Sequence, residues 1–393
     1  MRIFWWSNAP WARTGYGNQT RIFWPRIQKL GHTVTLGANY GLAGAPLNIN
    51  EGDQATKVLP LAFTPHGNDI IGQHAEQCKA DVVITLYDVW VFNPEVVSKF
   101  RWCPLVPVDH EPLGDALKTT LQAAWQPIAY SRFGEAQLKL AGFEPAYVPH
   151  AVETNIYKPG SRAEARRHLK LSEKRDDVDF LAVMVAANKG APSRKSFAEA
   201  LCAWGEFIKR HPKALLYLHT HAGQQMAGLD LLAILERLEI PDENVMFCDP
   251  YWNILGFPDK YMVDVYNAAD VLLNPAMGEG FGLPILEAQA CGTPVIVGDN
   301  TAQSELCFAG WEVAGQPFWT PLGTWQTIPY ISCVLDSLEE AYETRGDESL
   351  RVKAREGAMQ YDADFVTQTY WKPFLDGLAE EIAAGACLEM VEL

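Results

Sequence analysis

The stretch that most constrains the 393-residue chain is Gly278-Glu279-Gly280-Phe281-Gly282-Leu283-Pro284-Ile285-Leu286-Glu287-Ala288. Ahead of it, Ala269 to Asn274 is a short apolar run closed by Pro275, the pattern of a strand buried in a parallel sheet. Glycines at alternate positions let backbone approach a ligand where a Cβ would collide. Pro284 is tolerated in the first turn of a helix, so a helix begins near Leu283. Its unpaired N–H groups and dipole would lie beside the glycine loop as an anion site. Glu279 lies in the loop and Glu287 eight residues on, inside the helix. Two carboxylates around a phosphate cradle point to a ligand with phosphate in the middle and hydroxyls at both ends, which describes a nucleotide-sugar.

The seven-residue gap between Glu279 and Glu287, set inside Glu-Gly-Phe-Gly-Leu-Pro, resembles the donor-site motif of retaining GT-B glycosyltransferases, specifically glycosyltransferase family 4. The resemblance implies an α/β, GT-B architecture: two Rossmann-like parallel-sheet domains facing a cleft, with a C-terminal helix crossing back to the first. It places Glu279 by the donor sugar, Glu287 on the nucleotide ribose, and Gly280, Phe281, Gly282 and Leu283 against sugar hydroxyls or phosphate.

The length suits two domains, each with its own core. Eight cysteines without a Cys-x-x-Cys pair favour reduced thiols and a cytoplasmic protein over disulfides or zinc. No apolar tract is long enough to span a bilayer. A net charge of −16 disfavours polyanions such as nucleic acid. Of the thirteen tryptophans, Trp5, Trp6, Trp11 and Trp24 cluster early. Core packing explains most of them, and Trp11, in a loop, is the candidate for stacking on a sugar or base.

Strand and helix patterns alternate along the chain, which argues for parallel sheets. Arg2–Ser7 reads as the first strand, and residues 18–30 as a helix disturbed by Pro25. The loop between them holds Thr14-Gly15-Tyr16-Gly17. It lacks the six-residue dinucleotide fingerprint, and no Gly-Lys-Ser/Thr phosphate loop occurs anywhere. Residues 38–75, rich in Gly, Asn and Pro, predict irregular structure. Asp81–Asp88 and Pro104–Pro112 predict buried strands whose ends carry Asp88, Asp109 and His110, the positions where open α/β sheets gather ligands. The resemblance puts Gly15 and Gly17 toward the donor diphosphate, Trp11, Tyr16 and Asp88 on the acceptor side, and His110, with Asp109 as its neighbour, close to the donor sugar.

Tyr147 to Pro159 resembles the family's crossover segment, with His150 and Ala151 where Asn and Gly are usual. It sets domains at 1–155, 156–360 and a returning helix over 361–393. Phe180–Ala187 opens the second domain. After it, Arg194 and Lys195 precede a helix, where paired cations oppose the dipole and so await an anion. The resemblance assigns both to the donor diphosphate, Arg194 taking the duty of an Arg that would otherwise stand at Gly190. Further strands are expected at Leu215–His221, Asn244–Cys248 and Val271–Asn274, with a loop at 249–258 for the nucleotide base. Ala302-Gln303-Ser304-Glu305 matches a further family position, whereas residues 309–330 depart from the family pattern.

These readings converge on a metal-independent retaining glycosyltransferase, a hexosyl- or pentosyltransferase without a cofactor, which takes its sugar from a nucleotide-diphosphate donor. The fixed cations and the helix terminus, rather than a metal-binding Asp-x-Asp at a strand end, would neutralise the leaving diphosphate. The acceptor is open: glycan, lipid-linked or small molecule. Alternatives are glycosylation of a modified nucleic-acid base, a GT-B epimerase or phosphorylase, and a nucleotide-sugar-binding protein without catalysis.

Overall fold

The computed structural model describes residues 1–51 and 54–391. They form two compact units, one of residues 1–151 joined by 361–393, the other of residues 152–360. The first strand pattern after the crossover segment thus falls in a unit that begins at Val152, four residues before the expected boundary.

In the first unit the strands are β1 (Arg2–Asn8), β2 (Thr33–Tyr40), β3 (Leu47–Glu51), β4 (Gln54–Pro60), β5 (Val82–Leu86), β6 (Trp102–Val106), β7 (Ile128–Ala129) and β8 (Ala146–Tyr147). They lie in the order β3-β4-β2-β1-β5-β6-β7-β8, parallel except for the β3/β4 pair. The central strands β1 and β5 are buried nearly end to end, because helices cover both faces of a doubly wound sheet. That is why consecutive aromatics are admissible in β1: Phe4 and Trp6 pack into one core cluster, while Trp5 on the other face donates from Nε1 to Thr20 Oγ1 at 3.1 Å.

Three expectations need correction here. Residues 38–75 are not irregular throughout, since Leu47–Glu51 and Gln54–Pro60 form an antiparallel hairpin at the sheet edge. Its inward Thr56 and Val58 alternate with outward Ala55 and Lys57 over too few residues to stand out beside the Asn and Gly around them. The strand expected over 104–112 stops at Val106, before Pro107, so Asp109 and His110 sit in the loop beyond it. The first helix begins at Gly15, not Asn18, because Thr14 caps it by accepting from Gly17 N at 3.1 Å.

The chain returns to the first unit through residues 361–371 and the helix Lys372–Val391. Trp371, fully buried, meets Trp5 at 5.6 Å and Phe23 at 5.4 Å between ring centroids. Arg26 Nε reaches Asp364 Oδ1 at 2.8 Å. The backbone widens to a π turn over Thr367–Trp371, which carries the indole into this pocket.

The second unit is a six-stranded parallel sheet of β9 (Phe180–Val185), β10 (Ala214–His219), β11 (Val245–Phe247), β12 (Val271–Asn274), β13 (Val295–Gly298) and β14 (Gly310–Val313). Its order is β11-β10-β9-β12-β13-β14. The chain steps outward from β9 to β11, returns beside β9 as β12, then steps outward the other way. The order therefore reverses between β9 and β12, and in the first unit between β1 and β5. Open α/β sheets bind ligands beyond the strand ends at such reversals. A separate antiparallel hairpin, β15 (Gly315–Trp319) and β16 (Trp325–Pro329), follows β14. Among the described residues, no helix is long and apolar enough to cross a membrane.

Candidate active site

At the reversal in the second unit, the loop after β9 meets the loop after β12. Asn188 fixes the first of them. Its backbone N–H donates to Thr220 Oγ1 at 3.0 Å, its amide N–H to Leu229 O at 2.7 Å, and its Oδ1 accepts from Leu229 N at 2.9 Å. Farther along, Arg194 O accepts from Met277 N at 2.8 Å, so the two loops share a backbone bond. The Arg194 guanidinium donates to Gly278 O and lies 3.3 Å from Glu279 Oε2, and Lys195 Nζ bonds Glu279 Oε1. Glu279 is 6% exposed. Its own N–H donates to Thr301 Oγ1 at 2.9 Å, and its carbonyl accepts from Ala302 N. Gln303 Nε2 bonds Ala276 O at 2.7 Å, which places the 302–305 segment as a brace behind the glycine loop.

Both predicted cations therefore converge on the predicted loop carboxylate. They precede the helix Phe197–Phe207, Arg194 by three residues and Lys195 by two, rather than forming its first turn. Of the three alternating glycines, Gly282 is the one in the left-handed region, at φ +104°, where it caps the helix Leu283–Ala290. Phe281 is buried and Leu283 half-buried, and Leu283 and Pro284 open the helix. Glu279 and Gly280 lie just ahead of that positive end.

Glu287, half-buried, accepts from the Tyr266 hydroxyl at Oε2, 2.8 Å away. Tyr266 is fully buried in the helix Asp259–Ala268, and its backbone carbonyl accepts from Thr293 Oγ1 at 2.7 Å. Burial, and next the Glu287 charge, push its phenol well above the usual range, so it stays a donor across the working pH. Tyr266 has no motif of its own in the sequence, and its amphipathic helix reads as core packing. Tyr266→Phe is expected to remove one hydrogen bond that orients Glu287, raising the donor KM about three- to tenfold with kcat nearly unchanged, the size of one lost hydrogen bond. Steady-state kinetics read it, and an equal fall in kcat would show that Glu287 is not simply a ground-state binding group.

The loop expected at 249–258 contains the short helix Pro250–Leu255, whose cap Asp249 accepts from Trp252 N at 2.9 Å. Beside it, His219 closes β10 within 4.8 Å of the Phe257 ring, and Phe257 stacks on Tyr261 at 4.3 Å. Burial pushes the His219 imidazole down to about 4, leaving it neutral. This aromatic group was not singled out from sequence, because its members come from three separate elements.

The first unit gathers most of its own candidates at the β1/β5 reversal. Tyr16 Oη donates to Asp88 Oδ1 at 3.1 Å, and desolvation, followed by nearby Tyr130 and Asp88, raises its phenol well above the usual range. Asp109 Oδ1 lies 2.8 Å from His110 Nδ1. With the carboxylate accepting from Nδ1–H, the other ring nitrogen, Nε2, is left buried without a hydrogen-bond partner among the described residues. His150, in place of the family's Asn, stacks on Tyr130 at 4.1 Å, and burial pushes it down to about 3.

Gly17 has a different reason for being glycine. A Cβ there would lie 2.2 Å from Ala12 O and 2.9 Å from Ala9 O, so the tight loop itself demands it. Gly15 is exposed at the helix start. Trp11, 40% exposed, is held by its indole N–H on Gly41 O at 2.7 Å, whereas Trp5, Trp6 and Trp24 are core.

Residues 191–318 match the family described as glycosyl transferases group 1. Among curated proteins, the chain is 34% identical to the D-inositol 3-phosphate glycosyltransferase of Acidothermus cellulolyticus over 166 residues, 40% of this chain and 34% of that one. It is 32% identical to its counterpart in Segniliparus rotundus over 150 residues, 38% and 30% of the two chains. The matched region thus spans about a third of these relatives' length. Among solved structures it resembles sucrose-phosphate synthase from Thermosynechococcus elongatus, with a TM-score of 0.75 at 16% identity over 98% of this chain and all of the other. WaaG, a glycosyltransferase involved in lipopolysaccharide biosynthesis, follows at 0.67 and 16% over 94% and 98%. Anabaena HepE, solved with UDP and glucose, stands at 0.67 and 15% over 96% and 100%. The chain therefore has the GT-B fold, and within it residues 191–318 match the glycosyl transferases group 1 family.

Proposed function

We propose that this protein transfers a glycosyl group from a nucleoside-diphosphate sugar to a hydroxyl acceptor, with retention and without a metal ion. The observation that carries the reading is the meeting of Arg194, Lys195 and Glu279 at the sheet's reversal, ahead of the helix that holds Glu287. A leaving diphosphate develops negative charge, and two fixed cations with a helix N-terminus stabilise that charge more than they do the substrate. Glu279, on this reading, would offset the positive charge that develops on the glycosyl group as the diphosphate leaves. Glu287, oriented by Tyr266, suits the ribose hydroxyls. On the first unit, His110, oriented through Nδ1 by Asp109, would offer Nε2 as a hydrogen-bonding group to a sugar or acceptor hydroxyl.

HepE, solved with UDP-glucose, makes a uridine donor the first to try. The likeness to D-inositol 3-phosphate glycosyltransferases makes inositol phosphate one acceptor to try. The test is thermal stabilisation by UDP-, GDP-, ADP- and dTDP-sugars, followed by turnover with and without EDTA. At least one donor is expected to raise Tm by several degrees, since binding at 100 times Kd adds about 2.7 kcal/mol. EDTA is expected to leave the rate unchanged. Stabilisation by none of the four removes the reading, and activity lost to EDTA and restored by magnesium removes the assignment of Arg194 and Lys195.

A further inference from the structure

The β15–β16 hairpin takes no part in the chemistry described above. From Gly315 to Tyr330 it contains no Asp, Glu, Lys, Arg or His, in a chain of net charge −16. Near its tip, Trp319 and Trp325 are cross-strand partners whose rings meet edge to face, 4.7 Å apart at 66°. They remain 53% and 43% exposed. An edge-to-face pair covers at most one face of one ring, so broad aromatic surface stays open to water.

The turn holding the pair is well bonded. Thr320 N donates to Thr324 O at 2.9 Å, the two threonine hydroxyls lie 2.8 Å apart, and Gly323 N donates to Thr320 O at 3.1 Å. The rings are thus set in place before anything binds, which lowers the ordering cost of a ligand.

The hairpin is also joined to the donor loop. Thr327 N donates to Met277 O at 2.9 Å, and Met277 N in turn donates to Arg194 O. One backbone ladder links hairpin, donor loop and cation loop.

We propose that Trp319 and Trp325 form a carbohydrate subsite that stacks on a neutral pyranose of an oligosaccharide acceptor. A pyranose offers an apolar C–H face that an indole matches, and its hydroxyls need no ion pair. The lack of charge favours such a ligand over a nucleotide or a phosphorylated group. Insertion into a bilayer is disfavoured, because interfacial segments carry basic residues for head groups, and the flanking charges here, Glu312 and Asp336, are acidic. Only the naming of the saccharide as acceptor rests on the glycosyltransferase reading; stacking does not.

Isothermal titration of the full chain, without donor, against maltohexaose, cellohexaose, mannohexaose and chitohexaose tests the subsite. At least one is expected to bind. Trp319→Ala and Trp325→Ala should each weaken it about three- to tenfold, while Trp319→Phe retains most of the affinity. The UDP-induced rise in Tm should be the same in all variants and doubles as the check that they fold. No binding by any of the four, or binding that both alanine variants keep, overturns the proposal. So does loss in the variants of association with phosphatidylcholine vesicles, or of self-association, in place of saccharide binding. Saccharide binding lost in the variants of a protein that none of the four nucleotide-sugars stabilises would uphold the subsite and sink the donor assignment instead.

Discussion

Glu279→Gln is expected to lower kcat by about two to three orders of magnitude while UDP affinity stays unchanged or rises. The drop is the size found when one preorganised electrostatic group is removed from a reacting centre, about 2.7–4 kcal/mol. The unusual half of the expectation concerns affinity. Glu279 is buried and engages both Arg194 and Lys195. Without a donor, the carboxylate competes with a diphosphate for those cations. Glutamine keeps the shape, and a hydrogen bond, but gives up the charge, so the cations become more available to an incoming anion. Turnover falls because nothing now offsets the positive charge at the anomeric centre. Kinetics at saturating donor and calorimetry with UDP measure the two halves. Parental kcat would remove Glu279 from the reacting centre, and UDP affinity collapsing together with kcat would make its role purely structural.

Lys195→Met is the second large effect, an expected hundredfold or greater loss of kcat/KM for the donor. Lys195 is the less exposed of the two cations, so less water remains to screen its charge from a bound phosphate. It cannot be judged alone, since groups sharing an ion pair are not additive. In the Glu279→Gln, Lys195→Met double variant, UDP affinity should differ little from that of Lys195→Met, because the competition that Glu279 exerts passes mainly through the missing ammonium. Strictly additive changes in UDP affinity would mean that the two side chains act on the ligand independently.

The glycine loop could be read from sequence because strand, glycines, helix start and both glutamates follow one another within the seventeen residues from Val271 to Glu287. What gives those glutamates their setting could not. Tyr266 reaches Glu287 across 21 residues, and Asn188 holds Leu229 across 41, and neither partner is marked by local periodicity. Strands β1, β5, β9, β12 and β13 follow from apolar runs, whereas β8 and β14 carry none, and the edge hairpin β3–β4 alternates too briefly among poor strand formers. Tryptophan roles divide by a fact that composition does not carry, namely that β1 is covered on both faces. Gly17 is the instructive case. A glycine beside a presumed ligand loop suggests close approach to a ligand, yet the atoms nearest its missing side chain are the protein's own carbonyls at Ala9 and Ala12.

The return of residues 361–393 to the first unit sets the order in which the chain can fold as it is made. The ribosome delivers β1 and the first helix early, but Trp371, which fills the space against Trp5 and Phe23, follows only after the whole second unit. At 5–20 residues per second, the roughly two hundred residues between take on the order of 10–40 s. For that time Trp5 and Phe23 lack the cover that Trp371 gives them, while the second unit, being continuous in sequence, can already close. The vulnerable species in the cell is thus a nascent chain whose later half is finished before its earlier half, and the face that a holding chaperone would shield is the one around Trp5 and Phe23.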